Sequence, residues 1–232
     1  MHRTEMTTAR PRTGFFITGT DTEVGKTLVT CALLHAARQQ GRTAIGMKPV
    51  AAGTDSSGRN EDVERLDAAS SFAAAPELVN PYCFASPIAP HIAAAETGQA
   101  IDLGVICAAF EKLSAQADLT LVEGAGGFLV PLGETLDTAD LAVQLNLPVI
   151  LVVGMRLGCI NHARLTAAAI LERGLTLAGW VANSIDPAMS RRAENIAALV
   201  DWLPAPLLGV LPYQTSHDPA AVAHLLRIPE LT

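Results

Sequence analysis

Apolar runs and amphipathic stretches alternate along this chain. Six short apolar runs predict strands over 14–18, 43–48, 119–123, 149–153, 177–183 and 206–211. Several are nearly continuous in Val, Ile and Leu rather than alternating with polar residues, as expected where both faces of a parallel sheet are covered. Helical patterns fall between them, over 26–40, 62–71, 88–97, 103–116, 138–144, 160–173, 190–203 and 219–226. Gly41 and Gly174 stand just past two of these, where a helix end favours glycine. The small and polar residues at 51–60 read as a mobile loop, and the proline-punctuated stretch 76–90 as an irregular crossing. Strand–helix alternation of this kind predicts an α/β fold: a doubly wound, mainly parallel sheet with helices on both faces and right-handed crossovers. There is no repeat or linker to suggest a second domain. Ligands of such sheets bind beyond the carboxyl ends of the strands, so the residues that follow each strand carry the functional question.

The first predicted strand runs into Gly19-Thr20-Asp21-Thr22-Glu23-Val24-Gly25-Lys26-Thr27, read as the phosphate-binding pattern G-x-x-x-x-G-K-[ST] between a strand and a helix. Glycines admit close backbone approach to an anion, and the helix start presents unpaired N–H groups and a positive dipole end. Lys26 would reach β- and γ-phosphates, and the Thr27 hydroxyl would hold Mg²⁺. The third strand ends in Glu123, where the magnesium-organising carboxylate of a phosphate-loop enzyme belongs. Gly124-Ala125-Gly126-Gly127 follows, either a tight turn or a second set of N–H groups for an anion. Asp62 opens a helix, as an acid complementing the dipole or as a further metal ligand.

Composition narrows the choice. The chain has 232 residues, about half of them apolar, and a net charge of -7 without blocks of like charge. That disfavours a nucleic-acid surface or a polybasic membrane patch, and no apolar run approaches a membrane span. Of 16 basic residues only Lys26, Lys48 and Lys112 are lysines. Lys48, at the end of the second strand, is thus a candidate for a compact ammonium, against the plainer reading of a solvated surface charge. The four cysteines are scattered, as cytosolic free thiols are. Cys159 and His162 lack partners at zinc spacing; Cys159 reads as a packing residue and His162 as a helix residue, while His91, His217 and His224 carry no assignment. Residues 1–12 lack the apolar core of a secretory signal and read as a disordered extension to a domain over 13–232, with an organelle presequence as the alternative.

Five segments in order resemble the dethiobiotin synthase family: 19–27, Lys48-Pro49-Val50-Ala51, Val122-Glu123-Gly124-Ala125-Gly126-Gly127, Leu157-Gly158-Cys159-Ile160-Asn161-His162 and Gly179-Trp180-Val181-Ala182-Asn183. The resemblance implies a cytoplasmic, ATP- and Mg²⁺-dependent ligase of biotin synthesis. In that reaction an amine of 7,8-diaminopelargonic acid captures CO₂ as a carbamate, ATP phosphorylates it, and the second amine closes a ureido ring. It implies catalytic roles for Lys48, Lys26 and Thr22, and metal ligation by Thr27, Asp62 and Glu123. ATP would be held by Glu23, Val24, Gly25, Lys26, Thr27, Leu28, Asp62, Glu123, Gly124, Ala125 and Gly126, with Asn183, Ser184, Pro212, Tyr213 and Gln214 around adenine. The diamine would meet Thr22, Lys48, Ala52 and Gly126, and its far carboxylate the helix start at Gly158, Cys159, Ile160 and Asn161 of a neighbouring subunit, hence a homodimer. Some members carry Ser at the position of Ala52, and Asp is often seen at that of Ser184. Two other readings are a glutamine-using amide-forming synthetase, for which the residues after Asn183 are too few, and a nucleotide switch of the partition-ATPase type. The latter carries an additional lysine early in the loop, where this chain has Thr20 and Asp21.

Overall fold

The computed structural model describes residues 13–216 and 218–230; the expectations for 1–12 and His217 lie outside them. The fold is built on β1 (Thr13–Gly19), whose Phe15, Phe16 and Ile17 are all fully buried. It pairs in parallel with β5 (Leu119–Glu123) on one side and β6 (Val149–Met155) on the other. β2 (Ala44–Met47) flanks β5, while β7 (Leu177–Ser184) and β8 (Leu207–Leu211) extend the sheet beyond β6. The order is β2-β5-β1-β6-β7-β8, six parallel strands.

Consecutive side chains of β1 point to opposite faces, and both faces are covered. Phe15 and Ile17 pack with Val29 and Leu33 of α1 (Lys26–Gln39), and α2 (Glu61–Ala69) lies beside that helix. Phe16 belongs to the opposite core with Met47, Val122 and Leu151. That core takes in α4 (Pro90–Thr97), α5 (Leu103–Ser114), α6 (Thr138–Leu145), α7 (Cys159–Glu172) and α8 (Arg192–Trp202). Two-sided burial is why the strands read as unbroken apolar runs.

All six expected strands are present. Two further ones were not anticipated: β3 (Val50–Ala52) and β4 (Tyr82–Phe84) form a small parallel pair. They fall in the stretches read as a mobile loop and an irregular crossing, and α3 (Pro76–Val79) lies in the latter as well. Three residues are too few to display a period; the pair is held by the burial of Val50, Tyr82 and Phe84 and by backbone bonds at its ends, the Tyr82 N–H to the Pro49 carbonyl at 3.0 Å and the Gly53 N–H to the Phe84 carbonyl at 2.9 Å. The last predicted helix divides into α9 (Pro219–Val222) and a 3₁₀ turn over Ala223–Leu225. Gly41 and Gly174 have φ of 72° and 73°, as their place after α1 and α7 requires.

The start of α6 is closed by a reciprocal cap. Asp137 accepts the Asp140 N–H and Asp140 accepts the Asp137 N–H, each at 2.9 Å, and Arg173 bonds both carboxylates. Burial raises the pKa of Asp140, but the Asp137 N–H and Arg173 outweigh it and hold the carboxyl below its usual range. Asp137→Ala is expected to cost about 1–2 kcal/mol, a typical loss for an N-cap, measurable as a lower urea midpoint.

Candidate active site

Three connections meet at the carboxyl edge of β2, β5 and β1. Register brings them together: Met47 sits opposite Val122, Ile17 opposite Glu123, and the Gly124 N–H donates to the Ile17 carbonyl at 3.0 Å.

The loop after β1 requires a correction. Five residues, Thr20 to Val24, separate Gly19 from Gly25, whereas the pattern has four, so its first glycine position falls on Thr20 and the match is incomplete. Gly19 serves packing instead: a Cβ there would lie 2.6 Å from Val24 Cγ2. The loop turns through positive φ at Glu23 (59°) and Gly25 (86°), and α1 starts at Lys26. Its shoulder is braced on β6, where the Thr20 N–H donates to the Val152 carbonyl at 3.0 Å. Arg156, after β6, pairs with Asp21, and Asn183 Nδ2 donates to the Val24 carbonyl at 2.8 Å.

Lys26 folds back over the loop and donates to the Asp21 carbonyl at 3.1 Å. Burial and then the charge of Lys48 push its pKa down to about 8, against the pull of Glu123 and Asp62. The Thr27 hydroxyl lies 2.7 Å from Asp62 Oδ1 and 2.9 Å from Glu123 Oε1. Lys48 Nζ lies 2.7 Å from the same Glu123 oxygen, 3.2 Å from Asp62 Oδ2 and 3.2 Å from the Gly124 carbonyl. Glu123 is fully buried and Lys48 only 5% exposed. Burial disfavours the Lys48 ammonium, but Glu123 and Asp62 outweigh it and raise its pKa, so the side chain stays charged. Asp62 follows the same balance: burial opposes ionisation, and Lys48 with the Thr27 hydroxyl holds the carboxyl below the usual range.

The sequence-predicted residues fall into three groups. Thr22, Glu23, Gly25, Lys26, Thr27, Leu28, Lys48, Asp62, Glu123, Gly126, Asn183, Ser184, Tyr213 and Gln214 line one cleft of about 450 Å³. Val24 is buried beneath the loop, and Gly124 contributes its carbonyl to Lys48. Pro212 and Ala125 flank lining residues, and Ala52 lies in β3. Gly158, Ile160 and Asn161 line a separate concavity with Leu157 and Arg164, and Cys159 is buried. Asp62 faces Thr27 and Lys48 rather than its own helix start, which is capped by Asn60 accepting the Val63 N–H at 3.2 Å.

Several supporting residues escaped sequence reasoning. The Lys48 backbone is clamped from the segment after α3: its N–H donates to the Val79 carbonyl at 2.8 Å, and Asn80 Nδ2 donates to the Lys48 carbonyl at 2.6 Å. Arg65 and Ile185 also line the cleft. The helical spacing of Arg65 from Asp62 was a usable signal; nothing local marked Asn80.

The oxygen set fits a magnesium ion. The Thr27 hydroxyl has one proton, yet two carboxylate oxygens stand within 3 Å of it. Glu123 Oε2 is buried without a hydrogen-bond partner among the described residues. Among them no three His, Cys, Asp or Glu side chains form a cage, and Mg²⁺ typically takes one or two carboxylates with phosphate oxygens and water.

A parallel sheet with a lysine-bearing glycine loop after its central strand defines a phosphate-loop NTPase. The model of the AAA domain family matches residues 13–221. Solved structures agree on the fold: MinD cell division protein of Aquifex aeolicus has a TM-score of 0.53 at 16% identity, covering 87% of this chain and 82% of that one. Septum site-determining protein MinD of Pyrococcus horikoshii, complexed with Mg-ADP, has a TM-score of 0.55 at 16% identity, covering 93% of each chain. Sequence relatives are much nearer. The ATP-dependent dethiobiotin synthetase BioD of Aromatoleum aromaticum is 62% identical over 93% of this chain and 97% of its own length. That of Nitrosospira multiformis is 56% identical over 93% and 95%. The chain belongs to the ATP-dependent dethiobiotin synthetase family.

Proposed function

We propose that this enzyme makes dethiobiotin from 7,8-diaminopelargonic acid, CO₂ and ATP, releasing ADP and phosphate, through a carbamate and a carbamic–phosphoric anhydride. The observation that carries the reading is the meeting of Lys26, Lys48, Thr27, Asp62 and Glu123, from distant parts of the chain, in one cleft. Phosphoryl transfer needs positioning and neutralisation of charge more than covalent help from the protein. Lys26 and the N–H groups of the loop hold the β- and γ-phosphates. Thr27, Asp62 and Glu123 would hold Mg²⁺, which when bound would neutralise the phosphate oxygens. Glu123 and Asp62 favour the ammonium form of Lys48, which suits a charge stabiliser for the carbamate. Thr22 is exposed on the rim, and a Cβ at Gly126 would stand 3.6 Å from its hydroxyl, so the two face each other where the carbamate would lie.

A homodimer in the cytoplasm is part of this reading. α7 starts at Cys159 behind Gly158, which has φ of 95° and gives no side-chain cap, and an open helix start suits the diamine's carboxylate. Leu157, 92% exposed, and Leu165 present apolar surface beside it, as an interface between copies would require. Arg164 lies 4.0 Å over the neighbouring Trp202 ring.

The decisive test is dethiobiotin formation by the purified chain. Phosphate release that requires both the diamine and CO₂ supports the proposal; release stimulated by DNA or membrane vesicles instead would favour a switch. A second measurement addresses the metal. Glu123→Gln is expected to shift the magnesium dependence of turnover to higher concentration, and an unaltered titration would remove Glu123 from the ligand set.

A further inference from the structure

We propose that Arg65, through its guanidinium, is a nucleotide-binding residue that exchanges Glu61 for the phosphates of ATP and of product ADP. The inference rests on the nucleotide-site reading above and adds a contact that the glycine loop does not supply.

The placement of α2 carries it. Asp62 and Arg65 are three apart and share a helix face, and that face meets α1. Asp62 reaches Thr27, and one turn later on both helices the Cys31 thiol donates to the Arg65 carbonyl at 3.4 Å. The backbone of Arg65 is thus fixed against the helix that carries the phosphate loop. Arg65 lines the cleft with Thr27 and Leu28, and the same three residues wall a neighbouring cavity of about 250 Å³ that is also lined by His35 and Pro219. Arg65 therefore stands at the partition between the two.

Charge indicates what the guanidinium is for. Lys26, Lys48 and Arg65 are the cations lining the cleft, against Glu23, Asp62 and Glu123. Lys48 is already committed to two carboxylates. Among the described residues Arg65 forms one ion pair, to Glu61, four residues away on the same helix, with the two side chains 46% and 76% exposed. Such a pair contributes little and gives way readily to a stronger anion. A phosphate, by contrast, matches the planar donor fork in two hydrogen bonds.

Two substitutions separate this role from a structural one, because both break the same ion pair. If Arg65 only stabilises α2, Arg65→Ala and Glu61→Gln should act in the same direction. If it binds phosphate, they act in opposite directions. By titration calorimetry with ADP and Mg²⁺, Arg65→Ala is expected to weaken binding about tenfold or more, as for a lost hydrogen bond to a charged group. KM for ATP should rise in proportion. Glu61→Gln, which frees the guanidinium, should tighten ADP binding by about two- to fivefold, the scale of an exposed pair. ADP affinity within twofold of the parent in Arg65→Ala, or both variants shifting together, overturns the assignment. A parent enzyme that takes up no ADP would instead overturn the nucleotide reading itself.

Discussion

Lys48→Ala is expected to lower turnover by about 10²-fold or more while nucleotide binding persists, a loss of the size seen when one stabilising donor is removed from a transition state. The ammonium stands 2.7 Å from Glu123 and 3.2 Å from Asp62, deep in the cleft, and its pKa is raised despite burial. Its carboxylate partners favour the charged form, which suits an electrostatic contribution. Truncation also leaves Glu123 buried without its cation, which in an empty site costs about 3–5 kcal/mol. The thermal midpoint of the variant should therefore fall, and, if Asp62 and Glu123 are the magnesium ligands proposed above, magnesium should restore more of it than it adds to the parent, because the ion would then share both carboxylates with Lys48. Rapid-quench turnover, ADP calorimetry and melting with and without magnesium check the three statements together. Unchanged turnover would remove Lys48 from the chemistry. A magnesium effect equal to the parent's would mean that the ion and the ammonium do not share ligands.

How far the site was legible in the sequence depends on the distance over which each part is assembled. The glycine loop lies within one strand–turn–helix segment, so Lys26 and Thr27 could be read directly. Lys48 and Glu123 were visible only as residues at strand ends, and their meeting depends on the pairing of β2 with β5 and β5 with β1, which long apolar runs predict in kind but not in register. Asp62 was ambiguous because an acid at a helix start has a local use, and only the fold turns it towards Thr27. The clamp on Lys48 was out of reach: Asn80 acts from a segment whose strand and helix are three and four residues long, stabilised by tertiary burial. The loop count illustrates a different failure. The eye accepts Gly19 as the pattern's first glycine, whereas the backbone ends β1 at that residue and leaves Thr20 in the pattern's first position.

Gly25→Ala is expected to weaken nucleotide binding severely, with a fall in ADP affinity of about 10²-fold or more, comparable to losing a preorganised donor set. Two independent costs act at this residue. Its φ of 86° is a left-handed conformation, unfavourable for an L side chain by about 1–2 kcal/mol. A Cβ would also stand 2.1 Å from Asn183 Nδ2, the group that holds the Val24 carbonyl. Relieving that contact means moving Asn183 off the loop, so the peptides on either side of Gly25 lose their brace as well as their conformation. The neighbouring Glu23, at φ of 59°, already adopts a strained conformation without being glycine, and the loop has little room for a second such residue. Stability should fall by only about 1–3 kcal/mol, since loop strain of this kind leaves the core intact. Calorimetry with ADP alongside urea denaturation separates the effects: lost binding in a folded variant supports the loop as the phosphate site, and near-normal ADP affinity would show that the phosphates are held elsewhere.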